Sequence, residues 1–205
     1  MVVLGLTGTV AMGKSRTAGL CARLGVPVFD SDAVARRVTA PGGAATAAVL
    51  AAFPEAVCGN AIDRAALAQR VFSDRAALRQ LETIVHPYVA QARNVWLRRW
   101  ALARTAVVVL DVPLLFETGG DMHCDAVLVV AAPRFLQRQR VLQRPNMDEA
   151  RLRGILERQM STVEQQRRAD AVIPTGQGLR VALRALRRAL RRHGPRRTGR
   201  PRPIR

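Results

Sequence analysis

Gly8-Thr9-Val10-Ala11-Met12-Gly13-Lys14-Ser15 spaces two glycines, a lysine and a hydroxyl as G-x-x-x-x-G-K-S. That order of residue types suits a run of phosphates. Gly8 and Gly13 let the backbone wrap anionic oxygens, which its N–H groups and the start of a following helix attract. Lys14 is then placed to bridge the β- and γ-phosphates, and the Ser15 hydroxyl to ligate Mg²⁺. ATP with Mg²⁺ is the species this loop calls for.

Lys14 is also the only lysine among 33 Lys and Arg residues. Arginine is a wide planar fork and lysine a slim point charge, so a site that sets one ammonium between two phosphates resists the exchange. Two groups of carboxylates complete the chemistry. Asp30 closes VPVFD with Asp32 two residues on, and Asp111 closes TAVVVLD. Asp111 suits a carboxylate that supports the metal through water; an ordinary turn Asp at a strand end is the alternative.

These groups need strands and helices at fixed places. VVLGLT at 2–7 reads as a buried strand, and the glycine-bearing turn leads into a helix with Ala18, Cys21, Ala22 and Leu24 inward and Gly25 as its C-cap. VPVFD at 26–30 is a second strand, and a helix follows to Val38. From Pro41 to about Leu102 the pattern is helical, with a turn at 58–60, no convincing strand, and Ser73 or Asp74 as N-caps. TAVVVLD and DAVLVV (125–130) are runs of the kind buried on both faces of a parallel sheet. A basic helix after Pro133, a second ending near Met160, a strand at 171–173 and an amphipathic helix at 179–192 close the pattern. The alternation predicts an α/β fold with a parallel sheet flanked by helices.

Composition narrows the classes. The net charge of +18 invites nucleic acid. No acidic residue follows Asp170, however, and eleven arginines lie beyond it, so most of the excess is terminal. No aromatic platform accompanies them, and nucleic acid is not expected as a partner. Cys21, Cys58 and Cys124 lack metal or disulfide spacing. The opening MVVLGLTGTV has neither a basic region before it nor a cleavage site after it, and no run reaches the ~18 apolar residues of a membrane span. A soluble, cytoplasmic protein, monomeric or weakly oligomeric, is expected.

GLTGTVAMGKS, GVPVFDSD, DRAALAQRVFSD, LETIVHP, LDVPLLFETG and LQRQRVLQR occur in that order over about residues 2–190. Together they resemble the successive signatures of the dephospho-CoA kinase family. The resemblance implies transfer of the ATP γ-phosphoryl group to the ribose 3′-hydroxyl of dephospho-CoA, on a nucleotide-kinase-like P-loop fold with a helical CoA-binding insertion and a lid. It implies a single kinase domain at 1–192, with its core at about 1–40 and 103–192, the insertion at 41–102 and the lid at 138–160. The tail 193–205 is expected to be disordered.

Carried onto this chain, the family pattern makes Asp32 the catalytic base, with capping of the next helix as the alternative role and Asp30 the better placed cap. Gly8, Ala11, Met12, Gly13, Lys14, Ser15 and Arg16 would bind nucleotide, and Arg140 and Arg144 would close on its phosphates, with Arg144 catalytic alongside Lys14 and Asp32; Arg138 reads as a solvated face. His86, Leu115 and Phe116 match elements facing the acceptor pocket, although His86 could be structural and the apolar pair core. Ser15 and Asp111 would serve the metal. Departures fall at Thr9, Ala11 and Met12, where the family more often has Gly, Gly and Ser. If Ala11 needs positive φ, its Cβ costs about 1 kcal/mol. Arg16 stands where Thr is usual, and Pro174 interrupts a strand end. Weaker or altered ATP binding is expected.

Overall fold

The computed structural model describes residues 1–145 and 147–194, so all but the first two residues of the expected basic tail lie outside the described residues. Strand β1 (Val2–Thr7) is buried continuously from Leu4 to Thr7, as its unbroken apolar run requires. Helix α1 (Lys14–Arg23) starts directly after Gly13 and turns Thr17, Leu20 and Cys21 inward. Ala22, expected on that face, is exposed; it lies one residue past Cys21 and is carried round the helix. The helix ends in a Schellman turn: Gly25 N–H donates to Ala22 and Val26 N–H to Cys21, with Gly25 at φ 76°. Strand β2 (Val28–Asp30) follows.

The chain divides into two compact units, residues 30–102 and the remainder. The first contains α2 (Ser31–Val38), α3 (Thr46–Ala52), strands β3 (Val57–Cys58) and β4 (Ala61–Ile62), α4 (Arg64–Ser73) and the 28-residue α5 (Arg75–Leu102). This unit begins at Asp30, earlier than the expected 41, because Ala35 and Val38 of α2 pack with Val49, Phe53, Leu67 and Val85. Asp63 caps α4 through Ala65 and Ala66, and Asp74 caps α5 through Ala76 and Ala77. The expectation of no strand here is corrected by the antiparallel β3–β4 hairpin. Gly59 at φ 57° makes its turn, and two-residue strands are too short for a period-2 pattern.

The larger unit continues with β5 (Val107–Asp111), β6 (Ala126–Ala131), α6 (Arg134–Leu142), α7 (Glu149–Leu156), α8 (Thr162–Arg168), β7 (Ala171–Pro174) and α9 (Leu179–His193). The sheet runs β2-β5-β1-β6-β7, and β1–β5, β1–β6 and β6–β7 are parallel. Leu128 and Val130 pack with Leu4, Leu6 and Leu20 and with Ala182, Leu186 and Ala189 of α9. Val127 and Val129, pointing to the other face, pack with Leu115 and Phe116. The helix expected up to Met160 is α7, which stops at Leu156, and α8 beyond it was not expected; Ser161 accepts from Glu164 N–H at its start. Pro174 ends β7 rather than interrupting it, paired with Ala131. Among the described residues no helix is long and apolar enough to cross a membrane.

Candidate active site

The loop between β1 and α1 is held from beneath. A Cβ on Gly8 would lie 2.4 Å from Val130 Cγ2 and 2.8 Å from the Val130 carbonyl oxygen, so only glycine lets the chain leave β1 this close to β6. Gly13, at φ 93°, turns the backbone into α1, whose first-turn N–H groups open beside Lys14 and Ser15. Ala11 lies between them at φ 58°, the left-handed conformation in which its Cβ is disfavoured.

The side chains that replace the family's glycine and serine are used inward. Met12 is buried, and its Sδ accepts from Ala132 N–H at 3.1 Å. Only its backbone is left for a nucleotide. Thr9 is buried as well, and its Oγ1 accepts from Gln137 Nε2 at 3.1 Å and pairs with Thr162 Oγ1 at 3.1 Å. Arg16, in the first turn of α1, is exposed, as is Ser15.

Lys14 Nζ lies 2.7 Å from Asp111 Oδ1, with only 17% and 4% of the two side chains exposed. The strand register puts Asp111 opposite Leu6, at the end of β1 from which the loop departs. The pair orients the ammonium of the chain's one lysine. Beneath it, Cys21 is buried, and burial first and the charge of Asp111 second push its thiol up to about 12.

Arg140, expected at the nucleotide phosphates, reaches the loop: its guanidinium donates to the Ala11 carbonyl at 3.3 Å and to the Thr175 carbonyl at 2.9 Å. Arg144 is exposed just past α6. Arg138, expected on a solvated face, is exposed there, where it pairs with Glu149 and lines a groove of about 520 Å³ between α6 and α7. Leu115 and Phe116 lie at 1% and 6% exposure in the core. The Arg168 guanidinium stacks 4.6 Å from the Phe116 ring centre.

Asp32 and His86 belong to the 30–102 unit. Asp32 is exposed in the first turn of α2. Asp30 is the cap of that helix, accepting from Ala33 N–H at 2.8 Å, so the Asp32 carboxylate is not consumed there. His86 is exposed on α5, beside Pro87.

Four loop partners escaped the sequence reading: Gln137, Gln159, Thr162 and Thr175. Gln137 sits with Val141 on the buried stripe of α6, but among the Gln and Arg of LQRQRVLQR no local signal sets it apart. Gln159 and Thr175 lie outside regular elements and left none.

Comparison with known proteins agrees with this geometry. The family model described as dephospho-CoA kinase matches residues 2–180. The chain belongs to the dephospho-CoA kinase family. Among its relatives, the dephospho-CoA kinase of Rhodospirillum rubrum is 52% identical over 187 residues, covering 91% of this chain and 89% of the relative. That of Paramagnetospirillum magneticum is 55% identical over 160 residues, covering 78% and 76%. A crystal structure of a Thermus thermophilus protein superposes with a TM-score of 0.80 at 34% identity, covering 92% of this chain and 95% of that one. The dephospho-CoA kinase of Campylobacter jejuni shares the fold, with a TM-score of 0.60 at 19% identity over 94% and 97% of the two chains. As a dephospho-CoA kinase family member with a kinase fold, the chain is an ATP-dependent phosphotransferase.

Proposed function

We propose that this enzyme moves the γ-phosphoryl group of ATP to the 3′-hydroxyl of the dephospho-CoA ribose, giving coenzyme A and ADP. The observation that carries the donor half is the Lys14–Asp111 pair at 2.7 Å beside the left-handed loop. It is a preset ammonium next to a row of backbone N–H groups, and phosphoryl transfer is catalysed almost wholly by positioning and charge. The family relationship supports the acceptor.

In this reading Lys14 and the N–H groups of Gly13, Lys14 and Ser15 take the phosphates, and Arg140 and Arg144 supply further positive charge. The Ser15 hydroxyl and Asp111 carboxylate are hard oxygen donors of the kind that fit Mg²⁺ bound mainly by nucleotide phosphates and water. An ion held there would supply positive charge to offset the negative charge of the transferring phosphoryl group. Asp32 orients the acceptor hydroxyl and takes its proton late, which a loose transition state permits. The insertion 30–102 holds the rest of the acceptor, with His86 at its contact surface.

The test is ADP release with ATP·Mg²⁺ and dephospho-CoA, beside adenosine and AMP, repeated with Asp32→Asn. Turnover should be confined to dephospho-CoA and fall by about 10² to 10⁴ in the variant, the range for loss of a positioned base. Equal turnover with adenosine or AMP would replace the acceptor. Undiminished turnover in Asp32→Asn would remove the base.

A further inference from the structure

The backbone of Val10 is held at both polar ends by side-chain amides that no role in the family pattern claims. Gln137 Nε2 donates to the Val10 carbonyl at 2.9 Å and to Thr9 Oγ1 at 3.1 Å. Gln159 Oε1 accepts from Val10 N–H at 2.9 Å. One amide comes from α6 and the other from the link between α7 and α8. Between them they fix both peptide planes that flank Val10, since each backbone residue has one donor and one acceptor. Only 4% of Gln137 is exposed, so its bonds form away from competing water.

The next residue is the strained one. Ala11 stands at φ 58°, where a residue with a Cβ is disfavoured and where glycine carries no such cost. Its conformation is set on one side by the Val10 carbonyl plane, and on the other by Arg140 on the Ala11 carbonyl and Thr175 Oγ1 on the Met12 carbonyl at 2.5 Å. We propose that Gln137 and Gln159 are positioning residues for the nucleotide: by clamping Val10 they hold Ala11 left-handed before ATP arrives. The loop thereby keeps its phosphate-binding shape without a glycine at position 11. This rests on the loop binding nucleotide phosphates, and not on which acceptor is used.

Without the clamp, Ala11 relaxes toward negative φ and only a fraction of molecules holds the competent loop. Apparent affinity then drops by that fraction, while saturating nucleotide restores the shape. Gln137→Met should therefore weaken ADP binding, measured by calorimetry without any acceptor, about tenfold. At saturating ATP its kcat should change less than threefold, so that the loss appears in KM. The deciding comparison is the same substitution in an Ala11→Gly background, where the loss of ADP affinity should shrink to under threefold because glycine visits positive φ freely. Equal losses in the two backgrounds, or undiminished ADP affinity, would overturn the proposal. Should Gln137→Met fail to give a cooperative thermal transition, Gln159→Met, which removes the acceptor for Val10 N–H from another segment, carries the same comparison. Because ADP alone is the ligand, a wrong acceptor assignment leaves this result untouched.

Discussion

The loop after β1 and the first turn of α2 carry the two halves of the proposed chemistry on different supports. Around the loop, Lys14 is paired, Asp111 is buried at the end of β5, and the backbone is held by Gln137, Gln159, Arg140 and Thr175. In the helical unit, Asp32 and His86 are exposed, and the turn that carries Asp32 is capped by Asp30. Charge that must meet several phosphate oxygens gains from dipoles and ammonium groups that need no reorganisation. An acceptor hydroxyl needs one carboxylate and a bound orientation, which the substrate's own contacts can supply. Rigidity is therefore concentrated where the phosphates are expected.

The largest effect that sharpens this contrast is at Lys14. Lys14→Arg should lower kcat by about 10² to 10³, the scale for loss of one preorganised charge, while thermal unfolding stays near that of the wild type. The charge is kept and only its shape changes, so the measurement isolates geometry. Wild-type kcat in this variant would make the solitary lysine a compositional accident. Next in size is the helical unit's own core. Phe53, 2% exposed among Val49, Ala56 and Leu67, should cost about 3–5 kcal/mol as Phe53→Ala in urea denaturation. ADP affinity at 25 °C, where the variant is still folded, should change less than twofold. A large loss of ADP affinity would mean that the loop's order depends on the helical unit.

What was legible in the sequence follows the same division. The phosphate loop could be read because glycine and lysine are forced there by backbone geometry and charge shape. Strands β1, β5 and β6 could be read because burial on both faces leaves continuous β-branched runs. The left-handed turn at Ala11 was foreseen as a condition, and its φ of 58° meets that condition. What holds it in place was not legible: Gln137 lies in the Arg- and Gln-rich LQRQRVLQR, where nothing local separates a buried amide from its solvated neighbours. Helix α8 did carry a signal, the Ser161–Glu164 spacing of a capping box, just past a helix read as ending near Met160. The β3–β4 hairpin carried too little, since each strand contributes two residues.

The smallest expected effect lies beneath the loop and needs a titration to see. Cys21 is raised from the ordinary 9.0 to about 12 in the folded protein, by burial and then by Asp111. In the unfolded chain the thiol ionises near 9.0 while in the folded chain it stays protonated, so between these values the native state binds the extra proton. Stability from this group is complete below pH 9 and is lost as pH rises toward 12. The background is favourable: arginines keep their charge throughout this range, and Lys14 and Tyr88 are the only lysine and tyrosine. Thermal unfolding followed from pH 8 to 11 should therefore fall more steeply in wild type than in Cys21→Ala, whatever offset the lost side chain introduces. Parallel slopes would mean that the thiol is reached by solvent and that the packing under the Lys14–Asp111 pair is looser than its burial indicates. In that case iodoacetamide would also label Cys21 in the native protein alongside the exposed Cys58.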